Sequence, residues 1–452
     1  MTSQPAFTPL FPDTIFALSS GRMPAGVSVV RMSGPSVRFA LETIGGVIPV
    51  PRRATLRELS VQGQPIDRGL LLFFPGPRSF TGEDCAEFQV HGGRAVVEAL
   101  LDALSGVPGA RPAEAGEFAR RAFAYGKLDL TEAEGLADLI AAETEGQRRL
   151  ALSVANGAQR VLYESWRMAL IQARALIEAE LDFSDEADVP RSAGNMAWPQ
   201  VAAVAERIDA YLSGARRGEI LRDGFRVVIL GRPNAGKSSL LNALAGREVA
   251  IVSEEAGTTR DLIEVTLDLG GIPVLMTDTA GLREAEGGVE RRGIELALER
   301  AKAADLIVYL IDVTSRSGEQ DPRGEPGTDA AGVETWRIGT KADLAHGEGQ
   351  IYDHVVSATT GAGLDGLLAA LETQAKSVAG EFGEIVPTRQ RHLALLRMAR
   401  DELRSAARSD GLGAELRVEY LRRACDDIGR LTGAVGVEEV LDVVFSSFCI
   451  GK

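Results

Sequence analysis

The sequence predicts a multidomain α/β plus α protein. The expected parts are an N-terminal α+β domain, a discontinuous helical domain made of two segments, and an α/β domain inserted between those segments. Three observations predict this. Apolar runs in residues 1–120 are short and end in Gly or Pro. From about residue 128 the apolar residues recur at steps of three and four. Between about 224 and 380 the pattern becomes strand, glycine loop, helix, repeated. The expected boundaries are 1–121, 122–219, 220–379 and 380–452.

In chain order, "AGVSVVRMSG", "GLLLFFPGP" and "CAEFQVHGG" read as strands of the first domain. "RAVVEALLDALSG" reads as its one helix, amphipathic and stopped by glycine. Leu162, Trp166, Leu170, Ala173, Ile177 and Leu181 form one stripe of a long helix. The acidic "DFSDEADVPRSAG" follows as a loop, then a helix through "PQVAAVAERIDAYLSGARRG". "FRVVILG", "IPVLMTD", "ADLIVYLIDVT", "VETWRIGT" and "IYDHVVSAT" are buried-strand candidates separated by helical stretches. That alternation implies a largely parallel sheet covered on both faces. After Pro387 the chain is helical again, and insertion at a surface loop leaves the host core intact.

The 452 residues are 45% hydrophobic and 25% charged, with a formal net charge of −15, which argues against coating nucleic acid through bulk charge. Cys85, Cys425 and Cys449 form neither a disulfide framework nor a zinc motif. No run of about 18 apolar residues spans a membrane, and the start is a poor signal peptide, so a reducing cytoplasm is the expected location.

"GRPNAGKS", Gly231 to Ser238, fits G-x-x-x-x-G-K-S between a strand and the helix "SSLLNALAG". Such a loop wraps phosphate in backbone N–H groups at a helix N-terminus. Asn234, Ala235, Gly236, Lys237, Ser238 and Ser239 are therefore nucleotide-binding candidates, with Lys237 on the β and γ phosphates and Ser238 on Mg2+. Partners follow in order. "GTTRD" runs from Gly257 to Asp261, and its Thr259 completes the Mg2+ shell. "DTAG" supplies Asp278, Thr279, Ala280 and Gly281 near the metal and the γ-phosphate. "TKAD" supplies Thr340, Lys341 and Asp343 for guanine, and "SAT" supplies Ser357, Ala358 and Thr359. Each short motif alone is weak, but five in order imply a Ras-like P-loop GTPase domain. The usual guanine-reading motif is Asn-Lys-x-Asp, so Thr340 predicts weaker nucleotide binding, with the guanine preference set by Asp343. Leu282 stands where Ras-like proteins carry a water-orienting glutamine. Glu284, Glu286 and Glu290 are the nearby polar candidates, although solvated surface charge is the ordinary fate of such residues.

"GRPNAGKSSLLNALAGREVAIVSEEAGTTRD", "DTAGLRE", "FPGPRSFTGEDCAEFQVHGG", "RPAEAGEFARRAFAYGKLDLTEAEGLADLI" and the ending "FSSFCIGK" together resemble the MnmE (TrmE) family of tRNA-modification GTPases. The resemblance covers essentially the whole chain. It implies a folate-binding-like N-terminal domain through which a homodimer forms, a helical domain and an inserted G domain. It implies a flavin-dependent partner, MnmG (GidA), with which an aminomethyl-type group, such as carboxymethylaminomethyl, is installed at C5 of wobble uridine in certain tRNAs. The one-carbon unit comes from a tetrahydrofolate derivative, 5-formyl- or methylene-tetrahydrofolate. Hydrolysis needs K+ and paired G domains.

Carried over by motif, Asn234, Ser253, Glu255 and Thr258 would hold K+, Ser253 and Thr258 join the GTP-binding set, and Glu290 orients water. The catalytic set is then Glu290, Lys237, Asn234 and Cys449. Arg31, Glu87, Lys127 and Lys452 match folate positions; without the family, Arg31, Glu87 and Lys127 would read as surface ion-pair residues.

Residues 386–430 hold ten Arg against seven Asp and Glu, either a basic face for tRNA or an ordinary solvated helix surface. "CIGK" has the outline of a prenylation box, but Gly451 is not aliphatic and no polybasic segment precedes Cys449. The apolar approach "VEEVLDVVFSSF" instead predicts a docked tail that brings Cys449 and Lys452 near Arg31, Glu87 and Lys127. Two other readings remain at this point: a regulatory or ribosome-assembly GTPase without modification chemistry, and a folate enzyme gated by its G domain.

Overall fold

The computed structural model describes residues 10–182, 193–251, 264–278, 299, 301–314, 332–344, 352–380, 383–408, 413–436, 438–446 and 448–451. The chain forms two compact units. One comprises Met1–Ala137, Arg160–Glu164 and Ile428–Lys452, the other Asp138–Gln159 and Ser165–Asp427.

In the first unit, β1 (Thr14–Leu18), β2 (Ala25–Ser33), β3 (Thr55–Val61), β4 (Gln64–Phe74), β5 (Cys85–Gly92) and β6 (Ala110–Pro112) form one sheet in the order β3-β4-β5-β2-β1-β6. Its pairs are antiparallel except β1–β6. Helices α1 (Val37–Gly45) and α2 (Arg94–Ser105) cover one face, where Leu41, Ile44, Val97 and Leu100 pack with Met32, Leu71 and Phe88. The sequence reading expected a single helix here and missed α1. Its stripe of Val37, Ala40, Leu41 and Ile44 is only two turns long and follows the turn-rich "SGPS". Helix α3 (Glu117–Ala124) follows, then α4 (Leu130–Ala141), whose last residues belong to the second unit.

The stretch expected as helical from Leu128 to Leu181 is broken twice. Thr144 starts α5 (Glu145–Ala155) with a reciprocal capping box to Gln147. Gly157, at φ 86°, separates α5 from α6 (Ala158–Asp182). The predicted α6 stripe is buried at Trp166, Leu170, Ala173 and Ile177. The next helix also divides, into α7 (Ala193–Ser213) and α8 (Ala215–Asp223), at Gly214.

The inserted segment contains β7 (Phe225–Gly231), α9 (Lys237–Ala245), β8 (Ala250–Ile251), β9 (Glu264–Leu269), β10 (Ile272–Asp278), β11 (Leu306–Asp312), β12 (Glu334–Thr340), β13 (His354–Val355) and α10 (Leu364–Ala379). The sheet order is β13-β12-β11-β7-β10-β9-β8. All five predicted strands are present and mutually parallel. The edge strand β8 and its neighbour β9, which pairs antiparallel with β8 and β10, were not foreseen, although Val265, Leu267 and Leu269 alternate inward in "EVTLDL". Three helices follow: α11 (Gln390–Ala407), α12 (Ala414–Thr432) and α13 (Glu438–Ser446). Among the described residues no helix is long and apolar enough to cross a membrane.

Candidate functional site

The phosphate loop lies between β7 and α9, at the carboxyl end of a central parallel strand, where open α/β sheets place their ligands. Gly236, at φ 93°, stands at the N-cap of α9, and Asn234 is exposed with φ 63°, a left-handed conformation that a non-glycine residue seldom takes. The Lys237 amine donates to the Gly231 carbonyl at 2.9 Å and the Arg232 carbonyl at 3.0 Å. It thus spans the loop in which a phosphate would sit. The Ser238 hydroxyl donates to Asp278 Oδ2 at 2.8 Å, joining the residue chosen for Mg2+ to the start of the "DTAG" motif. A hydroxyl beside a carboxylate is the hard oxygen set that Mg2+ takes together with phosphate oxygens and water.

The candidate guanine-reading loop, "TKAD", follows β12. The Thr340 side chain is buried, and its hydroxyl lies 2.8 Å from the Ala235 carbonyl and 3.2 Å from that of Ile311. Lys341, at φ 62°, places its amine 2.5 Å from Asp312 Oδ2. Burial alone would raise the Asp312 carboxyl, but its bonds to Lys341 and Thr314 outweigh this and hold it below the ordinary carboxylate value. Asp343 is exposed, and its Oδ1 accepts from the Ser357 hydroxyl at 2.6 Å. Ser357 Oγ also accepts from the Thr360 N–H at 3.1 Å, so the "SAT" turn orients the aspartate as well as offering its own backbone. Ser239 and Thr359 are exposed at the surface and Ala358 is half-buried. Sequence reasoning missed Asp312 and the side-chain role of Ser357; neither position carries a signal without knowledge of which strand ends meet. Ser253, Glu255, Gly257, Thr258, Thr259, Thr279, Ala280, Gly281, Glu284, Glu286, Glu290 and Lys452 lie outside the described residues.

In the first unit, Arg31 and Glu87 are direct cross-strand partners on β2 and β5, with Nη2 and Oε1 3.3 Å apart. The Arg31 guanidinium lies 5.1 Å from the Phe80 ring centroid and 5.9 Å from that of Phe118. This is a half-buried cation with aromatic walls, suited to a planar anionic ligand. Lys127 is exposed, and its chain runs beside Gly82, where a Cβ would meet Lys127 Cε at 3.2 Å. The loop carrying Phe80 and Gly82 thus meets both cations. It is anchored by Glu83, which accepts from the Ser33 hydroxyl at 2.8 Å and pairs with the fully buried Arg121 at 3.2 Å. Burial raises the Glu83 carboxyl above its ordinary value despite Arg121.

The chain's end is docked on the same unit. Phe445 and Phe448 are buried with Ala119 and Ala133, Ile450 bridges to Ala115, and Ser19 Oγ donates to the Gly451 carbonyl at 2.8 Å. Gly451, at φ 97°, is required there, since a Cβ would lie 2.3 Å from the Leu18 carbonyl oxygen. Gly451 therefore meets the end of β1 at Leu18, next to Ala17, which faces Arg31 across the β1–β2 pair. Cys449 is an exposed free thiol, not a buried apolar filler.

The arginines of 386–430 are mostly engaged. Arg400 and Arg404 pair with Asp209, Arg422 and Arg423 with Glu419, and Arg389 with Asp138. Arg417 stacks 3.6 Å from the Trp198 centroid. This favours the solvated-surface reading over a free basic face.

A phosphate loop, a serine joined to the "DTAG" aspartate and the "TKAD" loop, in this order on this sheet, define a P-loop GTPase. The chain matches the family models "MnmE helical domain" over residues 130–449 and "GTP-binding protein TrmE N-terminus" over 14–127. It is 58% identical over 441 residues to the tRNA modification GTPase MnmE of Brucella ovis, covering 97% of this chain and 98% of that protein. The same identity and coverage hold for the proteins of that name from Brucella abortus and Brucella anthropi. The chain belongs to the MnmE family of tRNA-modification GTPases. Solved structures that it resembles include Era of Aquifex aeolicus bound to GDP and AlF4− (24% identity, TM-score 0.26, 41% of this chain and 68% of that one). Another is the G domain of the T. maritima FeoB iron transporter (21%, TM-score 0.26, 34% and 99%).

Proposed function

We propose that this chain is a K+-dependent GTPase that acts with a flavin-dependent partner of the MnmG (GidA) type on the wobble uridine of certain tRNAs. The product is an aminomethyl-type group at C5, such as carboxymethylaminomethyl, and hydrolysis drives the conformational change that the reaction needs. The observation that carries this is identity over nearly the full length, N-terminal and helical segments included, to proteins named tRNA modification GTPase MnmE.

The chain's own residues have separable tasks. Lys237 and the N-terminus of α9 hold phosphate charge. Ser238 holds Mg2+, which neutralises charge on the β and γ phosphates, with Asp278 behind it. Asn234 and the segment with Ser253, Glu255 and Thr258 hold K+, in place of an arginine finger. Glu290 orients water where Leu282 cannot. Asp343 and Lys341 read guanine. Arg31, Glu87, Lys127 and Lys452 hold a tetrahydrofolate derivative, and Cys449 serves the modification step. What supports the folate reading is the aromatic-walled Arg31 and the docked tail. What supports a homodimer through the N-terminal domain is exposed apolar surface on its edge: Leu56 and Leu70 are cross-strand partners, 48% and 36% exposed. The working location is the cytoplasm.

Two binding measurements on the full chain test this reading: titration with 5-formyl-tetrahydrofolate, and tRNA-dependent assembly with the flavoprotein. Both are expected. A chain that hydrolyses GTP yet shows neither is a switch GTPase instead.

A further inference from the structure

The inserted G domain joins its host helices through an entry helix, α8, and an exit segment, residues 383–389, all within the second unit. These two are packed as one stem. A Cβ at Gly218 would lie 2.1 Å from the Pro387 carbonyl oxygen, and one at Gly214 would lie 3.0 Å from Val386 Cγ1. Arg217 reaches back to the exit side, pairing with Glu384 at 2.8 Å.

The exit segment is then held residue by residue. Gln159 of α6 donates to the Val386 carbonyl at 2.9 Å. Arg222 of α8 donates to the Thr388 carbonyl at 3.4 Å. Arg389 donates to Asp138 of α4 at 2.7 Å. The same oxygen, Asp138 Oδ1, also accepts from Arg222 Nε at 3.3 Å. One carboxylate oxygen therefore clasps the last turn of the entry helix and Arg389, the last residue of the exit segment. Beside the clasp is a cavity of about 200 Å³, lined by Asp138, Arg222 and Thr388 and walled by Leu150, Ala151 and Val154 of the neighbouring helix. Packed interfaces switch between discrete arrangements, and a void gives this one room to do so. From α8 the chain runs through β7 directly into the phosphate loop. A second tie, from Gly146 N–H to the Gly271 carbonyl at 2.9 Å, joins α5 to the β9–β10 turn.

We propose that Asp138 is a positioning residue that latches the two arms of this stem and couples the nucleotide state of the G domain to the helical domain during tRNA modification. This rests on the proposed function. Asp138 lies outside the nucleotide and folate sites, so its loss uncouples the two activities without stopping hydrolysis.

The experiment compares the full-length wild type with Asp138→Asn and Ala151→Leu, the latter filling the cavity. Hydrogen exchange of the segment 383–392 is measured with GDP·Mg2+ and with GDP·AlF4−·Mg2+ in K+. GTP turnover and tRNA modification with the flavoprotein are measured alongside. In the wild type, exchange should differ at least fivefold between the two nucleotide states. In Asp138→Asn it should be fast in both, with turnover within twofold of wild type and modification lowered at least tenfold. Ala151→Leu should be slow in both states and also lose modification. Nucleotide-independent exchange in the wild type, or undiminished modification by Asp138→Asn, would overturn the proposal. Loss of turnover together with modification in Asp138→Asn would also overturn it, leaving that residue a structural role alone. A wild type that hydrolyses GTP but modifies no tRNA would instead overturn the proposed function.

Discussion

The Thr340 hydroxyl, 2.8 Å from the Ala235 carbonyl, ties the guanine-reading loop to the phosphate loop. The bond is buried and its donor is in a motif where an amide is usual. In the proposed site the two loops would hold opposite ends of one nucleotide, so keeping them in register would act on affinity without touching the base. Thr340→Val keeps the shape and removes the single O–H donor, which the closer Ala235 carbonyl accepts. A hydrogen bond of this kind is worth about 0.5–1.5 kcal/mol. GDP affinity should therefore fall by roughly two- to tenfold, with ATP still rejected. An unchanged affinity in equilibrium titration would show that the tie is idle. Thr340→Asn measures the expectation from sequence, that threonine binds more weakly than the amide; the predicted gain is at most about tenfold.

Much of the nucleotide site was legible because the described motifs sit at strand ends, where periodicity and glycine spacing mark both the element and its boundary. Five strands and the phosphate loop follow from that alone. What stayed hidden depends on which strand ends meet. Asp312 holds Lys341 across two adjacent strands, and Ser357 orients Asp343 from another turn. The same holds for α1, whose two-turn stripe is too short to stand out, and for Asp138, an unremarkable helix residue until the stem is assembled. Arg31 and Glu87 needed the family resemblance, since a strand arginine and a strand glutamate announce nothing by themselves.

Potassium selectivity is the next prediction. Asn234 is exposed on the phosphate loop with its backbone in the left-handed region, and Leu282 leaves the usual water-orienting position apolar. GTP turnover should be several-fold faster in K+ than in Na+, and Asn234→Ala should abolish the difference. Glu290→Ala should lower turnover while sparing GTP binding, the signature of a group that acts in the transition state. Equal rates in the two salts, or parallel loss of binding and turnover, would remove these roles.

Asp129 gives a pH prediction. Burial pushes its carboxyl up to about 6 from an ordinary 3.8, although Oδ1 accepts from Glu132 N–H at 2.7 Å and Thr131 Oγ1 at 2.8 Å. The folded state thus holds this proton more tightly than the unfolded chain. Its contribution favours the fold below about pH 4 and is lost as pH rises through 6. One pKa unit is about 1.4 kcal/mol, so the ionised group costs at most about 3 kcal/mol at pH 8. Asp129→Asn keeps an acceptor for both bonds and removes the charge. Relative to wild type, its Tm should rise between pH 4.5 and pH 8. A pH-independent difference would contradict the assignment.

The tail carries another prediction. Cys449 is exposed and stands just before residues anchored on Ala115 and Leu18. Cys449→Ser should leave GTP hydrolysis intact and lower tRNA modification in cells. Deleting residues 449–452 should in addition weaken binding of 5-formyl-tetrahydrofolate. Full modification by both variants would leave the tail a packing role only.

The central claim is tested most directly by mass analysis of wobble nucleosides in tRNA from cells lacking this chain, with and without a plasmid copy. The account predicts that C5 aminomethyl-type uridines disappear, return with the wild-type chain, and do not return with Lys237→Ala. A wobble-nucleoside profile unchanged by the deletion would contradict it.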